Sequence, residues 1–158
     1  VLKKRIKTLN FLINKEKKTR KVYSSWNLNN QGLKHRIHLG SLKKINEKNI
    51  ISLDQLIKSI NKKIDFIKID VEGYEWNAIK GGKKILEENH DVKLIFEFFP
   101  MALRANNVKP DTVLTYLLDI GFHIYAIDEN MRLLDFSIDD FCTRHANYSS
   151  MNLFCERL

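Results

Sequence analysis

The pattern of hydrophobic and polar positions predicts strands that alternate with helices from residue 49 onward. Short apolar runs predict strands, and apolar residues at three- and four-residue spacing predict helices. The predicted strands are 49–52, 65–70, 93–99, 122–127, 133–134 and 151–156, and the predicted helices are 53–60, 74–88 and 110–120. Strands that alternate with helices and are followed by antiparallel strands indicate an α/β fold with a mixed sheet.

The beginning of the chain has a different pattern. Three apolar residues at helical spacing among basic ones predict a short amphipathic helix over residues 1–9. A strand at 11–13 and an edge strand or hairpin arm at 21–26 follow it, and turn-forming residues fill 27–33. This part of the chain therefore predicts a basic helix and a hairpin.

Local signals indicate where several of these elements begin and end. Ser52 and Gln55 have the spacing of a capping box, which predicts the start of a helix. Pro100 ends the strand that precedes it, and Pro110 stands where proline favours the first turn of a helix. The strand over 93–99 is an apolar run interrupted by one acid, a pattern typical of a strand that is covered on both faces.

Length and composition describe one domain of ordinary globular make-up. The 158 residues are 44% hydrophobic and 29% charged. No stretch approaches the length of a transmembrane helix, and no signal peptide is visible. Cys142 and Cys155 lack metal-ligand spacing, which favours two reduced thiols in a cytoplasmic protein. The five histidines match no ligand pattern either, so no metal site is expected.

The net charge of +8 is unevenly distributed. Residues 1–63 carry 17 Lys and Arg against 3 Asp and Glu, whereas residues 64–158 carry 10 against 16. A basic arm of this kind can bind nucleic acid or an anionic surface through counterion release. However, the basic residues are 20 Lys and only 7 Arg, and bidentate phosphate recognition favours Arg. The composition therefore favours a general bias over a nucleic-acid-binding face.

The segment over residues 65–82, D-F-I-K-I-D-V-E-G-Y-E-W-N-A-I-K-G-G, holds the candidate chemistry. An apolar run ends on the carboxylate of Asp70, and two further acids, Glu72 and Glu75, follow closely. Gly73 permits a positive φ in the turn between them. A strand that ends on an acid and turns through glycine into a helix places that acid at the carboxyl edge of a sheet, where ligands of α/β folds bind.

The same segment resembles the signature of the FkbM-type methyltransferases, with K-I-D-V-E-G-Y-E as its most specific part. The resemblance covers roughly residues 50–158, and further similar segments are Ser52–Leu56, Leu94–Pro100, Leu117–Phe122 and Asn152–Phe154. It implies an α/β fold: the C-terminal portion of a Rossmann-like methyltransferase domain with a mixed, mostly parallel sheet. It also implies one domain over residues 1–158, with a basic helix and a hairpin or substrate-loop region over 1–47 and a strand–helix core over 48–158.

The resemblance further implies an S-adenosylmethionine-dependent O-methyltransferase that acts on a hydroxyl of a sugar, a glycan or another small metabolite. The methyl donor is already activated, so the protein must align the acceptor and relieve it of a proton. We expect Asp70 in that role, Glu72 as a second polar or cofactor-side contact, and Glu97 on the next strand as a further catalytic candidate. Asp70 and Gly73 are the expected cofactor-binding residues.

Two of the acids in the motif also have structural interpretations. Lys68 shares a face of the strand with Asp70 because side chains alternate along a strand, and a structural ion pair between them is the alternative to a catalytic role. Glu75 stands at the start of a helix, where a carboxylate suits the positive end of the helix dipole and favours a capping role.

Family members carry a Gly-rich cofactor-binding turn upstream of the D-V-E-G motif. Here the glycines before the motif are Gly32 and Gly40, far apart, and the first residue is Val1 rather than Met. We therefore expect the chain to be the C-terminal portion of a methyltransferase domain. Two other hypotheses remain open. The chain could be a catalytically incomplete fragment or binding module with the family's fold but without the cofactor loop, or it could be a basic nucleic-acid-binding module.

Overall fold

A computed structural model of the protein describes residues 12–13, 20–24, 43–48, 50–71, 73–144 and 150–158. Its helices are α1 (Leu53–Ile60), α2 (Glu75–Gly81), α3 (Lys83–Glu88), α4 (Pro100–Ala105), α5 (Pro110–Asp119) and α6 (Ile138–Arg144). Its strands are β1 (Leu12–Ile13), β2 (Arg20–Ser24), β3 (Lys43–Lys48), β4 (Ile50–Ile51), β5 (Phe66–Ile69), β6 (Lys93–Phe98), β7 (His123–Ile127), β8 (Leu133–Leu134) and β9 (Met151–Glu156).

Five of the described strands form the main sheet, in the order β5–β6–β9–β7–β8. β5 and β6 are parallel, while the other neighbouring pairs described in this sheet are antiparallel. The sheet is therefore mixed but mostly antiparallel among the described strands, which corrects the prediction of a mostly parallel sheet. The reason is the position of β9, which inserts in the opposite direction between β6 and β7 and so separates two strands that run the same way.

The first part of the chain contributes two small sheets. β1 pairs in parallel with β4, and β2 pairs antiparallel with β3. The strands predicted at 11–13 and 21–26 are confirmed as β1 and β2. β3 was not predicted, because its residues are mostly charged and show no apolar alternation. The helix predicted over 1–9 and the turn predicted over 27–33 lie outside the described residues.

The hydrophobic core lies on one face of the main sheet. Alternate residues of the strands, including Ile69 and Phe96, are buried on that face. The helices that follow β5 add buried side chains to the same cluster, among them Ile79, Leu86, Leu103, Leu114, Leu117 and Phe141. On the other face of β6, Lys93 is exposed and Glu97 is half-buried. The prediction that β6 is covered on both faces is therefore wrong, because the residues of its second face remain in partial contact with solvent.

The single helix predicted after the D-V-E-G motif is divided at Gly82 into α2 and α3. Asp54 of α1 accepts hydrogen bonds of 3.0 Å from the backbone N–H groups of Lys84 and Ile85, and so caps α3 from outside. A Cβ on Gly82 would lie 2.7 Å from Cδ2 of Leu53. The glycine thus allows α1 to pack closely against the junction of α2 and α3.

Several local predictions agree with the structure. Ser52 and Gln55 form the predicted capping box, with both reciprocal hydrogen bonds at 3.1 Å. Pro110 is the first residue of α5. Pro100 ends β6 as predicted, but it also begins α4, which was not predicted. The predicted antiparallel pair after α5 is confirmed as β7 and β8.

Candidate active site

Asp70 and Glu97 stand at the same level of two neighbouring parallel strands. Ile69, the last residue of β5, is aligned with Phe96 of β6, so Asp70 and Glu97 are the next residues along the two strands. Ile69 and Phe96 are buried, whereas Asp70 is exposed and Glu97 is half-buried. Because side chains alternate along a strand, the two acids lie on the face opposite the core. The structure thus brings these two predicted site residues to the same edge of the sheet.

Asp70 is ion-paired with Lys68. The distance from Nζ of Lys68 to Oδ2 of Asp70 is 2.7 Å, and the two side chains are 54% and 47% exposed. The structural ion pair considered from the sequence is therefore present. Because it lies largely in solvent, it stabilises the fold by only about 0–1 kcal/mol. A contribution of this size leaves room for a second role of Asp70.

Glu75, the first residue of α2, is fully buried. Its Oε1 accepts hydrogen bonds from the backbone N–H groups of Val71 at 3.0 Å and Gly73 at 3.1 Å. Its Oε2 is buried and has no hydrogen-bond partner among the described residues. The carboxylate therefore binds backbone N–H groups of the turn that leads into α2, at the helix end where a capping role was expected.

Burial raises the pKa of the Glu75 carboxyl group above its ordinary value. The hydrogen bonds from backbone N–H groups, including those of Gly73 and Val71, act in the opposite direction, and the charge of Glu97 raises the pKa further. Burial dominates, because a charged carboxylate inside the protein loses its hydration. The neutral form of Glu75 is thus favoured relative to a carboxyl group in water.

Gly73 adopts the positive φ that its place in the turn predicted, with a value of +92°. A Cβ at this position would lie 2.9 Å from Nδ2 of Asn106 and 3.0 Å from Cβ of Ala102. Nδ2 of Asn106 donates hydrogen bonds to the carbonyl oxygens of Gly73 at 3.0 Å and Ala102 at 3.1 Å. Sequence reasoning missed Asn106, because it follows the unpredicted helix α4 and no local pattern marks it.

Some predicted features lie outside the described residues. Glu72 is one of them, as are most of residues 1–47, where the substrate loop was expected. A groove of about 570 Å³ between α1 and α3 contains none of the predicted site residues.

In the described ranges, no group of three or more His, Cys, Asp or Glu side chains could hold a metal ion. None of the helices in these ranges is long and apolar enough to cross a membrane.

Asp70 and Glu97 lie at the carboxyl ends of neighbouring parallel strands, which is the edge where ligands of α/β folds bind. A comparison of the sequence with protein-family models identifies the family. The family model of the methyltransferase FkbM domain matches residues 3–124, which is well over half of the chain. The protein therefore belongs to the FkbM methyltransferase family. This match begins well before residue 50, where the resemblance noted in the sequence begins, and it ends before β8 and β9. No curated protein and no solved structure matches the chain significantly.

Proposed function

We propose that the protein is an S-adenosylmethionine-dependent O-methyltransferase that methylates a hydroxyl of a sugar, a glycan or another small metabolite. The observation that carries the proposal is the position of Asp70 and Glu97 in a chain of the FkbM family. The two acids lie on one face at the carboxyl ends of neighbouring parallel strands, where α/β enzymes bind their ligands. Glu72 is also a proposed catalytic residue, and only its place in the sequence motif supports that role.

The chemistry of these residues suits a cationic cofactor. S-adenosylmethionine supplies a methyl group that is already activated on a sulfonium. The carboxylates of Asp70 and Glu97 favour a positive charge close to them. Both backbone polar groups of Gly73 are bonded within the protein. Gly73 therefore contributes to the cofactor site by setting the course of the turn, while the negative charge of the Asp70 side chain would attract the sulfonium of the cofactor.

Asp70 is the proposed catalytic residue. Its Oδ2 is bonded to Lys68, which leaves Oδ1 for the acceptor. In this proposal Oδ1 would orient the acceptor hydroxyl and take its proton. The methyl group would pass to the hydroxyl oxygen as its bond to the sulfonium sulfur breaks, and S-adenosylhomocysteine would leave as a neutral thioether. A positioned general base typically contributes about 10²–10⁴-fold to the rate. Glu97 on the neighbouring strand adds a second acceptor for hydroxyl groups of the same substrate.

A cytoplasmic location belongs to the same proposal. Cys142 and Cys155, the two cysteines of the chain, are both free thiols. Free thiols of this kind are typical of a reducing compartment. Alkylation of both cysteines in protein that is denatured directly from cells without reductant tests this point, because Cys155 is buried in the folded protein.

The decisive experiment is isothermal titration of S-adenosylmethionine into the chain, its Asp70→Asn variant and the control Asp119→Asn. Asp119 is an exposed acid at the end of α5, away from the site. We expect micromolar binding by the wild type and the control, and binding about tenfold weaker by Asp70→Asn, because one carboxylate near the sulfonium is lost.

A wild-type chain that does not bind the cofactor would contradict the proposal and favour the catalytically incomplete module. If the same chain instead bound duplex DNA with an affinity that falls steeply with salt, the basic nucleic-acid-binding module would be favoured.

A further inference from the structure

The peptide groups of Gly73 are held by side chains from two directions. The Gly73 N–H donates to Oε1 of Glu75 at 3.1 Å, and the Gly73 carbonyl accepts from Nδ2 of Asn106 at 3.0 Å. The same Oε1 also accepts from the Val71 N–H at 3.0 Å. The turn that leads from Asp70 into α2 is thus bonded on its N–H side to Glu75 and on its C=O side to Asn106.

Glu75 destabilises the fold at this buried position, and the start of a helix does not require an acid there. Its side chain is 0% exposed, and its Oε2 has no hydrogen-bond partner within the described part of the chain. A buried acid with an unsatisfied oxygen is destabilising, and an apolar side chain of similar size would avoid that penalty. The bonds that it accepts from the turn give the acid a role that an apolar side chain could not take.

Asn106 is joined to the turn from a distant part of the chain. It follows the last residue of α4 and lies 33 positions beyond Gly73. Its amide nitrogen also bonds the carbonyl of Ala102, which fixes the side chain on its own helix. The absence of a Cβ on Gly73 lets Asn106 come this close. The contact therefore ties the turn to the helix that follows the Glu97 strand.

We propose that Glu75 and Asn106 are positioning residues for methyl transfer, which hold the Gly73 peptide from both sides and thereby set where Asp70 presents its carboxylate. This inference rests on the proposed role of Asp70. The two residues touch the turn and not the reacting atoms. Their effect is to keep the acid at the end of β5 in one place relative to Glu97.

The stability of this arrangement depends on pH through the protonation state of Glu75. Burial raises its pKa above the ordinary value of 4.5. Among the described residues, the charged side chain that acts on it is Glu97 of β6, whose negative charge raises the pKa further. The stability that Glu75 contributes is complete below pH 4.5 and is lost as the pH rises through its pKa in the folded protein. Glutamine has no such titration, yet its Oε1 can accept the same two N–H bonds.

The test combines hydrogen exchange with cofactor titration. Protection of the Val71 and Gly73 amides is measured by NMR, and S-adenosylmethionine affinity by calorimetry, in Glu75→Gln, Glu75→Ala and Asn106→Ala. Asn77→Ala, which removes another half-buried asparagine, is the matched control. We expect Glu75→Gln and the control to behave like the wild type. In Asn106→Ala and Glu75→Ala, protection should fall about tenfold, since each amide opens locally, and affinity about threefold or more.

The pH profile separates positioning from packing. In the wild type, the free energy of unfolding should fall as Glu75 ionises, because burial penalises the charged form, and Glu75→Gln should remove that part of the pH dependence. The N–H bonds of Val71 and Gly73 favour the ionised carboxylate, so protection of these amides and cofactor affinity should be retained as Glu75 ionises. Should Glu75→Ala fail to fold, Asn106→Ala carries the test, because it removes a donor without leaving a buried charge. Asn106→Ala that loses amide protection but binds the cofactor with wild-type affinity would overturn the positioning role.

The outcomes also separate this inference from the proposed function. A wild type that does not bind S-adenosylmethionine, although the two amides are protected, would reject the proposed function and the positioning role together. A wild type that binds, with Asn106→Ala and Glu75→Ala unchanged in affinity, would reject the positioning role alone. Protection that is unchanged in both variants would show that the turn does not depend on these side chains, and would likewise overturn the inference.

Discussion

Lys68 and Asp70 form an ion pair across the exposed face of β5, with 2.7 Å between Nζ and Oδ2. The two residues are two positions apart, so their side chains project from the same face of the strand. The ion pair uses one oxygen of the Asp70 carboxylate. Asp70 can therefore form the ion pair and also take part in catalysis through its other oxygen. Separate substitutions of Lys68 and Asp70 distinguish the two roles.

Asp70→Asn should abolish methyl transfer and leave the fold nearly intact. Asparagine has the shape of aspartate but cannot take the acceptor proton, and loss of a general base costs about 10²–10⁴-fold in rate. Loss of the exposed ion pair costs only about 0–1 kcal/mol of stability. The rate is measured as formation of S-adenosylhomocysteine with a panel of hydroxylated acceptors, and the fold by thermal denaturation.

The control for that variant is Lys68→Gln, which removes the same ion pair and keeps the carboxylate. It should retain most of the activity. An Asp70→Asn protein that unfolds, or a Lys68→Gln protein that is equally inactive, would show that the ion pair is the main function of Asp70.

Ile69→Asp should unfold the sheet core. Ile69 is 4% exposed and aligned with buried Phe96, and an unpaired buried charge costs about 3–5 kcal/mol. Urea denaturation measures the change in the free energy of unfolding. Phe66→Asp on the same strand is the control, because Phe66 is 51% exposed and should tolerate the acid. Unchanged stability of Ile69→Asp would contradict the placement of β5 in the core.

Gly73→Ala should be more destabilising than Gly121→Ala. Both glycines have positive φ, +92° and +89°, which costs an alanine about 1–2 kcal/mol. At Gly73 the new methyl group would also lie 2.9 Å from Nδ2 of Asn106, whereas at Gly121 the nearest atom is Nε of Arg157 at 3.5 Å. The comparison uses urea denaturation of the two variants. Equal losses would mean that α4 moves aside and that its packing on the turn is loose.

Arg157→Lys should destabilise the protein by about 2 kcal/mol, because a lysine cannot reproduce the hydrogen bonds of a planar guanidinium. Arg157 donates to the carbonyl oxygens of Leu86, Asn89 and Ile120, and its guanidinium lies 4.1 Å from the ring centroid of Phe122. These bonds join the chain after β9 to the end of α3 and to the turn after α5. Thermal denaturation measures the effect.

The matched substitution for Arg157 is Arg132→Lys. Arg132 bonds only to the nearby Asp128 in the described structure, and its side chain is 69% exposed, so the change should be small. A loss at Arg132 as large as that at Arg157 would contradict the anchoring role of the three carbonyl contacts.

Elements with a clear local signal could be predicted, and those without one could not. The apolar run of β5, the capping box of Ser52 and the proline of α5 each mark an element through residues close in sequence. β3 is mostly charged, and α4 is a six-residue helix that begins at the proline expected to end a strand. Neither has a periodicity long enough to predict it.

The sequence by itself determined that a strand ends next to Asp70, that Gly73 turns the chain and that the protein belongs to the FkbM methyltransferase family. These are consequences of short-range spacing and of the residues in one motif. Only the tertiary structure decided that β9 inserts between β6 and β7, that Glu97 stands level with Asp70, and that Asn106 bonds the Gly73 carbonyl from 33 positions away. The reason is physical: these relationships depend on which distant segments pack together, and the periodicity of a segment shows that it packs but not against which partner.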